Sequence, residues 1–377
     1  MIRVQSRSLR LAAAGLTLAL LGAACGGPNP DASAEGKVDE TTTTTIAKGP
    51  DTTASQLRSR LTGLLQEHVY LAAAVAASRG RPDESGAAKA ALDGNSEALS
   101  ANMTAIFTGN DASIAKQFGE LWKGDVAQNA GSIGSLLSSA LSVPADAVSG
   151  PLSAAKQAVG NGTNFTALRA GAAQMATLAS TLAAGIAKKY PERIGGDPSS
   201  KAAELLTGLN AGLREHVFLA SAATGAALGG RSDEFADAKA ALDANSDAVT
   251  GVIAGVYGDE AGKQFAPLWE KHIDFLVDYT NAVAAKEQAK ADEAMRNLLA
   301  YTEEFGAFIN AASPKLTKDA VAELIKTHVF TLKDVIDAQA AKNFTKAYTN
   351  DRTAADHMAM IATGLATTVV AQFPTKF

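Results

Sequence analysis

One cysteine in 377 residues excludes a disulfide scaffold and leaves no partner for a Cys-x-x-Cys redox or zinc site. Aromatic residues make up only 6% of the chain, too few for the aromatic and β-branched cores of sandwiches and barrels. Positive charge is also short. The formal net charge is −5, so there is no electrostatic footprint for nucleic acid. No HExxH, Glu-x-x-His, Walker A loop, GxSxG or post-strand GxGxxG occurs, which removes zincin, ferritin-like di-iron and nucleotide-binding readings. With no recognised catalytic motif, the chain reads as a binding protein rather than an enzyme. What it has is 47% hydrophobic residues in long alanine and leucine runs, with no alternating strand pattern. The expected fold class is all-α, with helices packed through small side chains.

The amino-terminal end reads as an export signal. Arg3, Arg7 and Arg10 precede an apolar run from Leu11 to Leu21, and Gly22-Ala23-Ala24 stands directly before Cys25. The run is too short for a stable membrane span and fits a signal peptide, residues 1–24. Small residues before the lone cysteine resemble the lipobox of bacterial lipoproteins. That resemblance implies cleavage before Cys25, diacylation of its thiol and durable anchoring by two or three acyl chains. Residues 25–53, with threonine at every position from Thr41 to Thr45, hold too little apolar surface to offset ordering entropy and read as a flexible tether. Removing residues 1–24 takes away three arginines and no acidic residue. The mature surface is therefore more acidic than the whole chain, and the acyl group must do the anchoring. The expected location is the outer face of the cytoplasmic membrane.

The remainder is written twice. Residues 61–122 and 207–269 share, in order, an EHV(Y/F)LA block, a GR-(P/S)-DE turn, AKAALD-x-NS and KQF-x-x-LW. Residues 174–191 resemble 357–374 at the far ends. The expected domains are a first helical bundle at 54–191, a Pro/Gly-rich linker at 192–200 and a second bundle at 201–377. In the second copy the helical period places helices near 201–228, 233–256, 260–286, 290–312, 317–340 and 344–372. The joint near 286–290 lacks glycine and proline. The stretch from Trp122 to Gln174 is much shorter than that from Trp269 to His357, which predicts four helices in the first copy against six in the second.

Four of the five histidines fall in the second copy: His216, His272, His328 and His357. Each sits at three- and four-residue spacings from apolar neighbours and faces the core. His216, His272 and His328 lie equally far before their hairpin turns, and His357 equally far after the last, so all four are expected in one layer. The mirrored positions on partner helices are polar too. Asp243 and Asn245 oppose His216, and Tyr301 and Glu304 oppose His272, as candidate outer partners. Helical bundles build metal sites from such layers, and a divalent ion would satisfy several imidazoles whose unpartnered burial is costly. Nitrogen donors suit copper, zinc and, less well, iron. Met358 and Met360 beside His357 offer a soft donor that tilts toward copper, but Met358 is one step round the helix from His357, and core filling is the favoured role of both. A structural polar layer is the competing reading. The first copy has His68 at the place of His216, but Asp125 replaces His272, Gln174 replaces His357, and no counterpart of His328 is present. Asp-x-Asn-Ser is kept in both copies. An asparagine bonded across the hairpin to the preceding histidine would account for that.

The blocks LxEHVxLA, ALDxNS, FxxLWxxH and HM-x-x-(I/L)-A resemble those of bacterial, chiefly actinobacterial, secreted lipoproteins built of histidine-bearing helical repeats. The resemblance covers residues 54–377 and implies an all-α, membrane-anchored envelope protein. Some members carry a copper amine oxidase label, which would require a β-rich catalytic domain and an Asn-Tyr-Asp/Glu cofactor tyrosine, neither present here. Imelysin-type lipoproteins are similar in architecture but carry His-x-x-Glu, whereas here Leu71, Leu219, Phe275, Thr331 and Met360 follow the histidines by three. Two functions stand as expectations. One is an anchored protein that sequesters or delivers a transition metal through its histidine layer. The other is a metal-free envelope scaffold whose two bundles bind an unidentified envelope protein.

Overall fold

Each copy opens on a capped helix. Thr52 accepts a hydrogen bond from Ser55 N to start α1 (Thr53–Ala77), and Ser200 accepts one from Ala203 N to start α7 (Lys201–Leu228), satisfying amide groups a helix start leaves free. Gly80 (φ +89°) and Gly230 (φ +67°) end the two hairpin arms in the left-handed conformation that glycine adopts without cost. Proline or serine with two acidic residues then opens α2 (Pro82–Ile106) and α8 (Ser232–Tyr257), matching the helix dipole. This is a computed structural model, and it describes residues 49–377 except 127 and 161. The signal peptide, Cys25 and the tether as far as residue 48 lie outside the described residues.

The first copy continues with α3 (Ala112–Lys123), α4 (Ala130–Leu141), α5 (Asp146–Val159) and α6 (Phe165–Lys189). The second continues with α9 (Asp259–Ala285), α10 (Gln288–Ala312), α11 (Lys318–Ala340) and α12 (Phe344–Gln372). No strand occurs among the described residues, as the composition requires. The expected four helices against six is corrected: both copies have six. The first copy has lost no hairpin; three of its helices are cut, α3 to 12 residues against 27 in α9, α4 to 12 against 25 in α10, and α5 to 14 against 23 in α11. Shortening in place keeps the up-down order, in which successive helices pack as neighbours and the last returns against the first, α6 on α1 and α12 on α7. The joint without glycine is closed by Lys286 at φ +60°, a left-handed lysine in the position glycine usually fills.

The described residues form one compact unit, in which α1 packs on α7. Both helices are buried over most of their length, through polar as well as apolar residues. Leu61, Leu65 and Val69 of α1 and Leu206, Val217 and Leu219 of α7 are buried, each contributing about 1.5–3 kcal/mol relative to exposure. The linker turns back on this seam: Gly195 O accepts from Ala54 N at 3.0 Å, and Arg58 Nη1 donates to Pro198 O at 2.8 Å. Gly196 (φ +104°) lies so close that an added Cβ would fall 2.5 Å from Thr52, so only glycine fits. By length and composition α6 and α12 could cross a membrane, but 50% and 44% of their most apolar windows are buried inside the bundle. They are the corresponding core helices of the two copies.

The seam also carries charge in a crossed arrangement. Glu67, before His68, accepts from Arg214 Nη2 at 2.7 Å and from Arg352 Nε, both in the second copy. Glu215, before His216, accepts from Tyr70 OH at 2.7 Å and Arg169 Nε at 3.1 Å, both in the first. Arg169 and Arg352 occupy corresponding places in the repeat, so each copy's arginine neutralises the other's glutamate. The rings of Tyr70 and Phe218, again corresponding residues, stack between them at 5.5 Å. Charge pairs this buried hold partners in register more than they add stability.

Candidate metal centre

Helix α7 touches α9, α11 and α12, and α9 and α11 each present a histidine toward His216 of α7. His216, His272 and His328 are 0%, 4% and 3% exposed, and one ring nitrogen of each lies within 4.8 Å of those of the other two. The closest pair is His216 Nε2 and His272 Nε2, 3.3 Å apart. Two nitrogens bound to one tetrahedral ion at about 2.0–2.1 Å would stand about 3.3 Å apart. The ring centres of His216 and His328 are 6.0 Å apart.

Orientation comes from the surroundings. His272 Nδ1 donates to the Trp269 carbonyl one turn back, fixing the tautomer and leaving Nε2 its lone pair, as an outer partner does for a metal-ligating imidazole. Tyr301 stacks on the other face of His272 at 5.2 Å and 20°. The Trp269 indole lies 5.0 Å from His216 and 4.7 Å from His272. The result is an aromatic wall with few hydrogen-bonding groups. His216 Nδ1, both nitrogens of His328 and His357 Nδ1 are buried without a protein partner, and each such orphan costs about 1–3 kcal/mol.

The wall also sets the charge state. Burial pushes His216 well below the ordinary imidazole range, with His272 and His328 adding to the shift. Burial lowers His272 to about 4 against the pull of its bond to Trp269. It lowers His328 to about 3, helped by His272 and His357. At neutral pH all three are uncharged, the form in which imidazole donates to a metal.

Not every expected residue joins the layer. His357 is buried on α12 and close enough to His328 to bear on its proton affinity, but it lies outside the three-histidine group. Of the outer partners, Tyr301 and Asn245 are buried. Asp243 is drawn to the surface by Lys239 at 2.8 Å, and Glu304 by Lys271 at 2.6 Å. An ion pair with a solvated lysine spares a carboxylate the cost of burial, which helical spacing alone does not weigh. The methionines give no soft donor: Met360 is 63% exposed, and Met358 packs in the apolar core. Trp269 was missed as a wall of the site. Its signal was legible, since it precedes His272 by three residues and so shares its face.

The first copy shows the same ground plan closed off. His68 Nδ1 bonds Asn95 Oδ1 at 3.2 Å, Asn95 Nδ2 bonds Leu64 O at 3.0 Å, and His68 meets Trp122 edge-on at 5.1 Å. This is the expected histidine–asparagine bond across the hairpin, and it forms in one copy only. Asn245 keeps the backbone bond, to Gly212 O at 3.0 Å, but adds Glu215 Oε2 at 2.8 Å. Its Oδ1 and His216 Nδ1, the atoms equivalent to the bonded pair, are both without partners. Comparison of the chain with protein-family models, with curated proteins and with solved structures finds no match. The reading of the site therefore rests on its own chemistry.

Proposed function

We propose that the second copy binds one transition-metal ion through His216, His272 and His328, with His357 beside them, in a chain anchored to the outer face of the cytoplasmic membrane by lipid on Cys25. One observation carries the metal reading: three buried, uncharged imidazoles from three different helices bring ring nitrogens within 4.8 Å of one another, while three of their six nitrogens have no protein partner. An all-imidazole donor set suits copper or zinc ahead of harder ions. Since all three rings are almost inaccessible, an ion there exchanges only when the bundle opens locally or the histidines protonate. Such a site serves sequestration and delivery, with release favoured by acid.

Elemental analysis of the purified chain, followed by titration with Cu²⁺ and with Zn²⁺, tests the reading. One bound equivalent is expected, absent from the variant carrying His216→Ala, His272→Ala and His328→Ala together. A chain that is metal-free and takes up neither ion overturns it and leaves the envelope-scaffold function. The anchor has its own test: Cys25→Ala should move the protein from the membrane to the soluble fraction, and unchanged membrane retention contradicts lipidation.

A further inference from the structure

The crossed charges at the seam border a cavity of about 390 Å³, within the size range of small-molecule sites. Both copies build it. Tyr70 and Phe218 contribute the stacked ring pair, Phe165 and Phe344 come from the starts of α6 and α12, and Ala222 and Ala347 leave the space open. The wall is mostly apolar. The ionic groups at the hairpin ends are already matched, Arg81 to Glu84 at 2.7 Å and Arg231 to Glu234 at 2.8 Å. The two pairs are corresponding residues of the repeat, so they add no net charge.

Asp83 and Lys342 also line the cavity, both on its exposed side; among the buried ionic groups one is left over. Asp351 of α12 lines the cavity, is 3% exposed, and its Oδ1 has no hydrogen-bond partner. The Ser221 hydroxyl and Arg214 favour its charged form only in part, and Arg214 already holds Glu67 and Asp356. Burial and the neighbouring Glu67 push this carboxyl well above the usual carboxylate range. An acidic group placed so serves no seam contact; it lacks a cation. The first copy has nothing equivalent, because Leu168 stands where Asp351 does in the aligned terminal helices.

We propose that this cavity binds a small aromatic or branched aliphatic amine, whose apolar body packs against the Tyr70 and Phe218 rings while its ammonium group bonds Asp351 Oδ1. A positive charge fits the site twice over: it supplies the counter-ion Asp351 lacks, and it can lie against aromatic faces. A carboxylate or phosphate ligand at the buried end would meet Asp351, and the arginines there are engaged by glutamates; the one further cation, Lys342, is exposed and lies on the solvent side. The site is separate from the histidine layer and does not depend on a metal there.

Three probes sharing one body separate the chemistry: naphthalen-1-ylmethylamine, 1-naphthalenemethanol and 1-naphthoate, titrated calorimetrically into the full chain at pH 7. The amine is expected to bind about tenfold or more tightly than the alcohol, the typical margin of a charge-assisted bond, and the acid not at all. Asp351→Asn should bring the amine down to the level of the alcohol, and Ala222→Phe, which fills the cavity, should abolish both. Equal binding of amine and alcohol, an amine affinity unchanged in Asp351→Asn, or no amine binding at millimolar concentration overturns the proposal. Should Asp351→Asn lose its helical circular dichroism, the amine-against-alcohol comparison in the unaltered chain and Ala222→Phe still decide it.

Discussion

His68 and His216 begin from the same sequence block, the same helix and the same tryptophan contact, yet end in opposite chemical situations. In the first copy the imidazole is satisfied by Asn95. In the second, Asn245 is engaged by Glu215, and His216 faces His272 instead. The difference lies in the partners, not in the histidine. The first copy offers Asp125 where His272 stands, and its short α5 brings no counterpart of His328. A bundle can thus carry a buried imidazole as a packing group. It takes two long helices bearing further imidazoles to turn that group into a donor cluster.

Four experiments break or sharpen that comparison, from the largest expected effect to the smallest. The seam comes first. Glu67→Gln leaves Arg214 and Arg352 facing a neutral amide and should cost about 3–5 kcal/mol in urea unfolding, as breaking a buried pair does. Glu215→Gln, whose carboxylate is more exposed, 11% against 2%, should cost less. Equal costs would mean that the crossed pairs are energetically equivalent and that the seam does not distinguish the copies.

Acid comes next. A folded pKa below the unfolded value of 6.5 means that the unfolded chain binds more protons between the two. Stability contributed by His272 is therefore full above pH 6.5 and falls as pH drops toward about 4, a loss of about 3 kcal/mol from this residue. In metal-free protein, His272→Gln with His328→Gln should flatten the acid limb more than His68→Gln does. The same slope in all three proteins would remove the electrostatic difference between the copies.

Metal affinity is third. His272→Ala should weaken binding by about 100-fold or more, beyond the effect of losing an outer partner, whereas His68→Ala should leave affinity unchanged. Last, His357→Ala should cost about tenfold or less, the effect of an outer partner. A loss as large as that of His272→Ala would place His357 among the ligands, as the sequence spacing first predicts.

Much of this was legible in the sequence, because helical period and capping residues are local signals. The helix expected at 344–372 is found at Phe344–Gln372, and that at 201–228 at Lys201–Leu228. The layer was legible too, since equal distances from hairpin turns translate directly into equal heights along straight helices. What escaped was whatever depends on packing between distant segments. The first copy's α4 and α5 carry helical spacings, Ile133, Leu137 and Leu141, then Val148, Leu152 and Ala155. A shorter stretch of chain fits a lost hairpin as well as shortened helices, and only the packing decides between them. Glu304 meets Lys271 of the neighbouring helix, a contact that spacing alone does not show, whereas Asp243 pairs with Lys239 one turn earlier on its own helix, a local signal that was legible. The seam was hidden in the motif itself: Glu67 and Glu215 were seen only as neighbours of histidines. Their signal was an acidic residue directly before a core-facing histidine in both copies, where burial demands a cation from elsewhere. Arg169 and Arg352, repeated at one place in both copies, were the cations.

The central claim is that the second copy alone turns a packing histidine into a metal site. X-ray absorption at the metal edge tests it most directly, on chain loaded with one equivalent of zinc. The account predicts at least three imidazole nitrogens at about 2.0 Å in the unaltered chain and in His68→Ala, and the loss of that shell in His272→Ala. A shell of oxygen atoms, fewer than three imidazoles, or a signal that depends on His68 would contradict it.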